Sequence, residues 1–281
     1  MSDRLKPFRE EALVRNIPSA DVERWTETAR PCATLAPEGD GPVVGRFGGP
    51  LMLPVDAPEP QFPFVASIDC AALPEDATDL PLPADGHLLL FGYPDIESFA
   101  SMGEVVHVPA GTAVEERERH PHSYTEIPEY RDICQAFPQG QLRLTTNVSL
   151  PYHCWTEIPE PPWSTPLPGH PRSEELRDVW LDTHGDITTD GPLQIGGYAS
   201  EECPEVDPVA GVAYFAAEAE RAGERAGSEV ELKAPEDWVL LADWHPGITG
   251  REGATLHWAI RREDLAARRF DQAHVTVFWN P

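Results

Sequence analysis

Apolar residues recur along this chain in two rhythms. Near the N-terminus they return every three or four positions. Residues 8–17 and 19–30 read as two short helices broken at Pro18, and Ser19 stands where it could cap the second. Val22, Trp25 and Ala29 share one face, so Trp25 is expected in the core. A longer helix is predicted over about 208–222. Asp207 would cap it, Pro208 suits its first turn, and Gly223 and Gly227 would stop it. Its apolar stripe is Val209, Val212, Ala213, Ala216 and Ala219, with Glu218, Glu220 and Arg221 facing water. Elsewhere the pattern is alternation or a short apolar run. Strands are predicted at 32–35, 104–108, 142–148, 193–198, 229–233 and 274–279. Residues 120–190 show the least regular pattern.

Two further strand pairs echo each other. Phe64-Val65-Ala66-Ser67-Ile68-Asp69 and Trp238-Val239-Leu240-Leu241-Ala242-Asp243 are both apolar runs that begin on an aromatic and end on Asp. After each comes a loop and then a Gly-x-x-Leu-x-aromatic strand, Gly86 to Phe91 and Gly253 to Trp258. Upstream of each lies a Gly pair, Gly48-Gly49 and Gly196-Gly197. Three features in one order suggest a duplicated unit. The expected fold is therefore α+β, mostly antiparallel sheet from two similar β-rich halves with helices outside. We expect one domain over 1–281: helices and a strand in 1–36, a first repeat in 37–110, a Pro-rich irregular insertion in 111–190 and a second repeat in 191–281.

The same residues carry a family resemblance. GRFGGPLMLP, FPFVASIDCAALP, LPADGHLLLF, LQIGGY, DWVLLADWHP and GATLHWAIRREDLAARRF, in that order, resemble the YwqG-like family, a bacterial domain of unknown function. The resemblance runs from about Val43 to Phe278. The family pattern has Gln two residues before each Asp, where this chain has Ser67 and Leu241. It also often has Trp-Gly in the loop at His245 to Gly250. The resemblance implies no activity to carry over.

Charge narrows the functions. The net charge is −27, and lysine occurs only at Lys6 and Lys233. A nucleic-acid backbone or an anionic membrane needs a concentrated positive face, so neither is an expected partner. A basic protein is the partner class that the charge allows. No apolar run is long enough to cross a membrane. The first residues lack a signal-peptide core, and the five cysteines are scattered. A cytoplasmic protein with reduced thiols is the expectation.

Candidate chemistry is sparse. Gly39-x-Gly41-x-x-x-Gly45 is not read as a phosphate loop, because Gly48-Gly49-Pro50 and Pro54 exclude the helix such a loop needs. Gly-x-Ser-x-Gly, His-Glu-x-x-His and Cys-x-x-Cys motifs do not occur. His120-x-His122 and His153-Cys154 lack the spacing of a metal site, so neither metal nor cofactor is expected. The candidate ligand-binding residues are Arg46, Gly48, Gly49, Asp69, Gly196, Gly197, Asp243 and Trp244. Asp69 and Asp243 would meet in one cleft if the halves are related by a twofold, Arg46 could face an anion, and Trp244 would be an exposed loop aromatic. The first expectation is a non-catalytic interaction protein, with an immunity-type role towards a basic partner as one form. The alternative is an enzyme or small-ligand binder with a cleft between the repeats.

Overall fold

The fold is known from a computed structural model, which describes residues 4–95, 101–157, 161–202, 205–223 and 237–279. Its main feature is a ten-stranded antiparallel sheet. The strands are β1 (Arg30–Ala36), β2 (Val43–Phe47), β4 (Phe64–Asp69), β5 (His87–Gly92), β6 (Gly103–Val108), β8 (Gly140–Ser149), β11 (Leu193–Gly196), β12 (Trp238–Trp244), β13 (Thr255–Arg261) and β14 (His274–Phe278). Their spatial order is β14-β13-β12-β11-β1-β8-β2-β4-β5-β6. Two four-stranded meanders thus run outward from a central β1–β8 pair. Each central strand lies beside the other meander's first strand.

The two ends of the sheet come back towards each other. Met102 N–H donates to the Val275 carbonyl at 2.9 Å, and the Trp258 indole donates to the Phe91 carbonyl at 3.0 Å. The interior is apolar, with Leu35, Phe47, Val65, Trp244, Leu256 and Trp258 among its members. The central strands are covered on the other face too. There Asn147 donates to the Thr34 hydroxyl at 2.8 Å and the Thr189 carbonyl at 2.9 Å, so this buried amide keeps its partners. Glycine allows the close strand approach. A Cβ on Gly41 would lie 1.8 Å from the Leu144 carbonyl oxygen. No helix follows this glycine run, as the sequence requires; β2 does.

Three layers pack outside the sheet. Helices α1 (Lys6–Val14), α2 (Ser19–Thr26) and α5 (Ser173–Ile187) join Phe8, Trp25, Leu176, Val179 and Trp180 to Val148 and Leu150. Each such fully buried side chain contributes about 1.5–3 kcal/mol. Helix α6 (Pro208–Gly223) covers Trp238, Leu240 and Ala259. Asp207 accepts from Val209 N–H at 3.0 Å and caps it as expected. The ribbon β3 (Leu51–Pro54) with β7 (Val114–Arg117) covers Phe64, Leu89 and Phe91. Short helices α3 (His122–Glu126) and α4 (Pro128–Gln135), a β9–β10 ribbon (Trp155–Glu157, Ser164–Pro166) and α7 (Arg262–Ala266) complete the elements.

Several expectations are corrected. Segment 111–190 is not irregular: it holds β7, α3, α4, the central strand β8 and the fifteen-residue α5. Ser19 does not cap α2, because Pro18 takes the cap position without a side-chain bond. Ala217 rather than Ala219 is buried on α6. The strand expected at 229–233 lies outside the described residues. The Leu-x-aromatic pairs occupy different cores. Leu89 lies opposite Ser67, whereas Leu256 lies opposite Trp244, and only Leu256 and Trp258 enter the sheet interior. Relative to the two Asp residues this is a three-residue slip, and an odd slip reverses the face.

Candidate functional site

Strand β12 is buried throughout, and its pairing with β13 shifts between Leu240 and Ala242. This bulge re-phases the strand. Val239 and Leu241 face the main core before it, and Ala242 and Trp244 after it. Asp243 is thereby turned to the opposite face, beside its cross-strand partner His257, which sits between the core residues Leu256 and Trp258. Both are polar residues inside apolar runs, with 0% and 1% of their surface exposed.

Their burial is possible because every polar atom is engaged. His257 Nδ1 lies 2.5 Å from Asp243 Oδ1, and His257 Nε2 lies 3.1 Å from Glu201 Oε2. Asp243 Oδ2 accepts from the Ser200 N–H at 3.0 Å and from its hydroxyl at 3.2 Å. His245 Nε2 stands 3.3 Å from the Ser200 hydroxyl and 3.6 Å from Asp243 Oδ2, and its Nδ1 stands 3.1 Å from the Thr255 hydroxyl. The network closes when Thr255 donates to His245 Nδ1 and the His245 Nε2–H faces Ser200 and Asp243.

The protonation states follow. Burial alone would favour neutral His257. The charge and hydrogen bond of Asp243, helped by Glu201, outweigh it and raise its pKa to about 9. Burial would likewise favour neutral Asp243, but His257 and His245 hold it well below the usual carboxylate range. At neutral pH this is a buried aspartate–imidazolium pair. The Ser200 hydroxyl thus donates to a weakly basic carboxylate, and the His257 imidazole already carries its proton. His257 therefore does not take the Ser200 proton; the imidazole within reach of that hydroxyl is His245, and its role is set by its tautomer.

Ser200, Glu201, His245 and Thr255 open onto a pocket of about 440 Å³, whose remaining lining is Glu202, Glu252 and Gly253. Glu252 accepts from Gly250 N–H at 3.0 Å, and backbone hydrogen bonds hold its pKa below the ordinary value.

The sequence singled out Asp243 but not Ser200, Glu201, His245, Thr255 or His257. The other candidates lie elsewhere. Trp244 is not an exposed loop residue: it is 0% exposed on β12, packed on Phe47, Phe137 and Trp258. Asp69 does not line the pocket at Asp243. Asp69 instead accepts from Ala71 N–H at 3.0 Å in a turn. Gly196 and Gly197 have φ of +70° and +76°, and a Cβ on Gly197 would lie 2.8 Å from Cys32 Cβ, which is a packing role. Arg46, Gly48 and Gly49 lie together at the end of β2 and do not line the pocket at Asp243.

Among the described residues, no group of three or more His, Cys, Asp or Glu is arranged to hold a metal. His120 is half-buried against Phe137, and burial pushes its pKa down to about 4. His122 pairs instead with Glu126 at 2.9 Å. No helix among the described residues is long and apolar enough to cross a membrane.

Residues 45–278 match the model of a domain of unknown function, DUF1963, and the chain belongs to that family. No curated protein sequence matches it.

Proposed function

We propose that this DUF1963 chain is a non-catalytic binding protein whose acidic surface recognises a basic protein. The observation that carries the reading is the state of the Asp243–His257 cluster. Its buried charges neutralise each other, and what its pocket turns outward is Glu202 and Glu252. Forty-eight acidic residues against 21 Lys and Arg extend that sign over the molecule. In its narrower form the partner is a basic toxin and the role is of the immunity type; only the charge supports this form. A second reading, a small-ligand binder or an enzyme, is favoured by the pocket itself. Its lining comes from residues 200–255 alone rather than from both halves.

Three finer readings go with this proposal. The motif order from Gly45 to Phe278 supports the YwqG-like name within the family. The paired meanders about β1–β8 support an internal duplication, one in which the second strand pairs have since slipped in register. Buried free thiols at Cys32, Cys70, Cys134 and Cys154 support a reducing, cytoplasmic setting.

The test is affinity capture from cell lysate at low and at high salt, with mass spectrometry of what is held. Basic proteins retained at low salt and shed at high salt are expected. Retention of no basic protein, together with a small molecule released on denaturation, would overturn the proposal in favour of the second reading.

A further inference from the structure

Arg46 and the Gly48-Gly49 pair stand out in the sequence, and the Asp243 pocket does not use them. The turn after β2 brings two other segments to them. Gly48 and Gly49 have φ of +56° and +80°, backbone that favours glycine. A Cβ on Gly48 would lie 2.2 Å from Gln139 Oε1, and one on Gly49 would lie 2.2 Å from the Arg46 guanidinium carbon. Both positions are thus filled by side chains laid flat on the glycines.

The donors here converge on one neutral acceptor. Gln139 Oε1 accepts from Gly49 N–H at 3.3 Å and from Arg119 Nη1 at 3.0 Å. Among the described residues, neither Arg46 nor Arg119 pairs with a carboxylate, although the chain has more than two acidic residues for each basic one. Neighbouring Arg117 is tied to Glu59 and Glu115. The site opens into a shallow groove of about 970 Å³, along which Glu116 and Glu118 stand exposed. One end of the groove therefore offers guanidinium and backbone N–H donors whose shared partner is a neutral amide oxygen. Its length offers carboxylates. A simple anion matches only the first and a simple cation only the second.

We propose that this groove binds the carboxylate end of a cationic peptide. Arg119 and Gly49 N–H, with Arg46 beside them, hold the terminal carboxylate in place of Gln139 Oε1, a charge-assisted exchange for a neutral acceptor. Glu116 and Glu118 face the cationic side chains. The proposal rests on the basic-partner reading for the source of its ligand. Free arginine carries the same pair of groups, so it is the alternative source.

The test uses the full chain and isothermal titration with two matched pairs: a short oligoarginine as free acid and as C-terminal amide, and L-arginine with L-argininamide. Bulk acidity favours the amide of each pair, because it is the more cationic. The site favours the acid. The expected result is about tenfold tighter binding of the acid peptide. Arg46→Ala and Arg119→Ala should each reduce that preference. Preference in the arginine pair alone would overturn the peptide as ligand and make it a free amino acid, leaving the basic-partner reading to the capture experiment. Equal, salt-sensitive binding of both peptides would overturn the carboxylate site and leave that reading standing. A preference unchanged in both arginine variants would also overturn the site.

Discussion

Replacing Asp243 by Asn keeps the shape of the side chain and removes its charge. His257 would then be a buried cation whose remaining acidic partner is Glu201, at 3.1 Å. Removing one member of a buried pair costs about 3–5 kcal/mol, because the other charge stays desolvated. At about 2–4 °C per kcal/mol for a chain near this size, the thermal midpoint should fall by roughly 6–20 °C. The pH dependence gives a second, independent signature. His257 has its pKa raised in the folded protein from 6.5 to about 9. The folded state therefore binds the extra proton between these values. Its stabilisation is complete below about pH 6.5 and is lost as pH rises through about 9, some 3 kcal/mol at about 1.4 kcal/mol per pH unit. Thermal melts by circular dichroism from pH 6 to 10 measure both effects. Wild type should lose stability across that window, and Asp243→Asn should start lower with a flatter profile. Asp69→Asn is the control: the Asp69 bond closes a half-buried turn, so it should cost under about 1 kcal/mol with the wild-type slope. The reasoning fails if Asp243→Asn costs no more than Asp69→Asn, or if its profile between pH 6.5 and 9 matches wild type.

Two other outcomes follow from burial. Trp244→Ala should cost about 3–5 kcal/mol in chemical denaturation, because it empties the space between Phe47, Phe137 and Trp258. Trp244→Phe should cost distinctly less, since the indole Nε1 is buried without a hydrogen-bond partner; equal costs would contradict the packing described. Burial also pushes the Cys32 and Cys134 thiols up to about 12, so peptide mapping after alkylation at pH 8 should find them unmodified in the native protein and labelled after unfolding. Labelling of Cys32 in the native state would contradict its burial.

Local pattern made some elements legible. Trp25 at helical spacing and the Asp207-Pro208 helix start needed only neighbouring residues. Helix α5 was as readable in principle. Leu176, Val179, Trp180 and Thr183 recur every three or four positions and are buried, but they lie just after Pro162, Pro166, Pro168 and Pro171. A Pro-rich approach says nothing about the periodicity that follows it. Trp244 was misplaced for a different reason. The apolar run reads as ending on Asp243, whereas β12 continues to Trp244, and a buried polar residue inside a strand is indistinguishable in sequence from the strand's end. Of the candidate site, Asp243 was visible as a carboxylate ending an apolar run. His257 carried the same signal between Leu256 and Trp258. Ser200, Glu201 and His245 carried none, because they reach Asp243 from loops that only the folded sheet brings together.

The central position of β1 bears on how the chain is made. Its neighbours are β8, which ends at Ser149, and β11, which ends at Gly196. On a ribosome the first meander, β2-β4-β5-β6, could pair as it emerges, while β1 would wait with both edges open until its two partners had been synthesised. An unpaired strand in a nascent chain is a template for intermolecular pairing. A stall or truncation before residue 193 would therefore leave β1 with its β11 edge bare and the sheet without its second meander. The fold of this protein is a late event in its biosynthesis, and its dependence on chaperones should concentrate in the interval between the two halves.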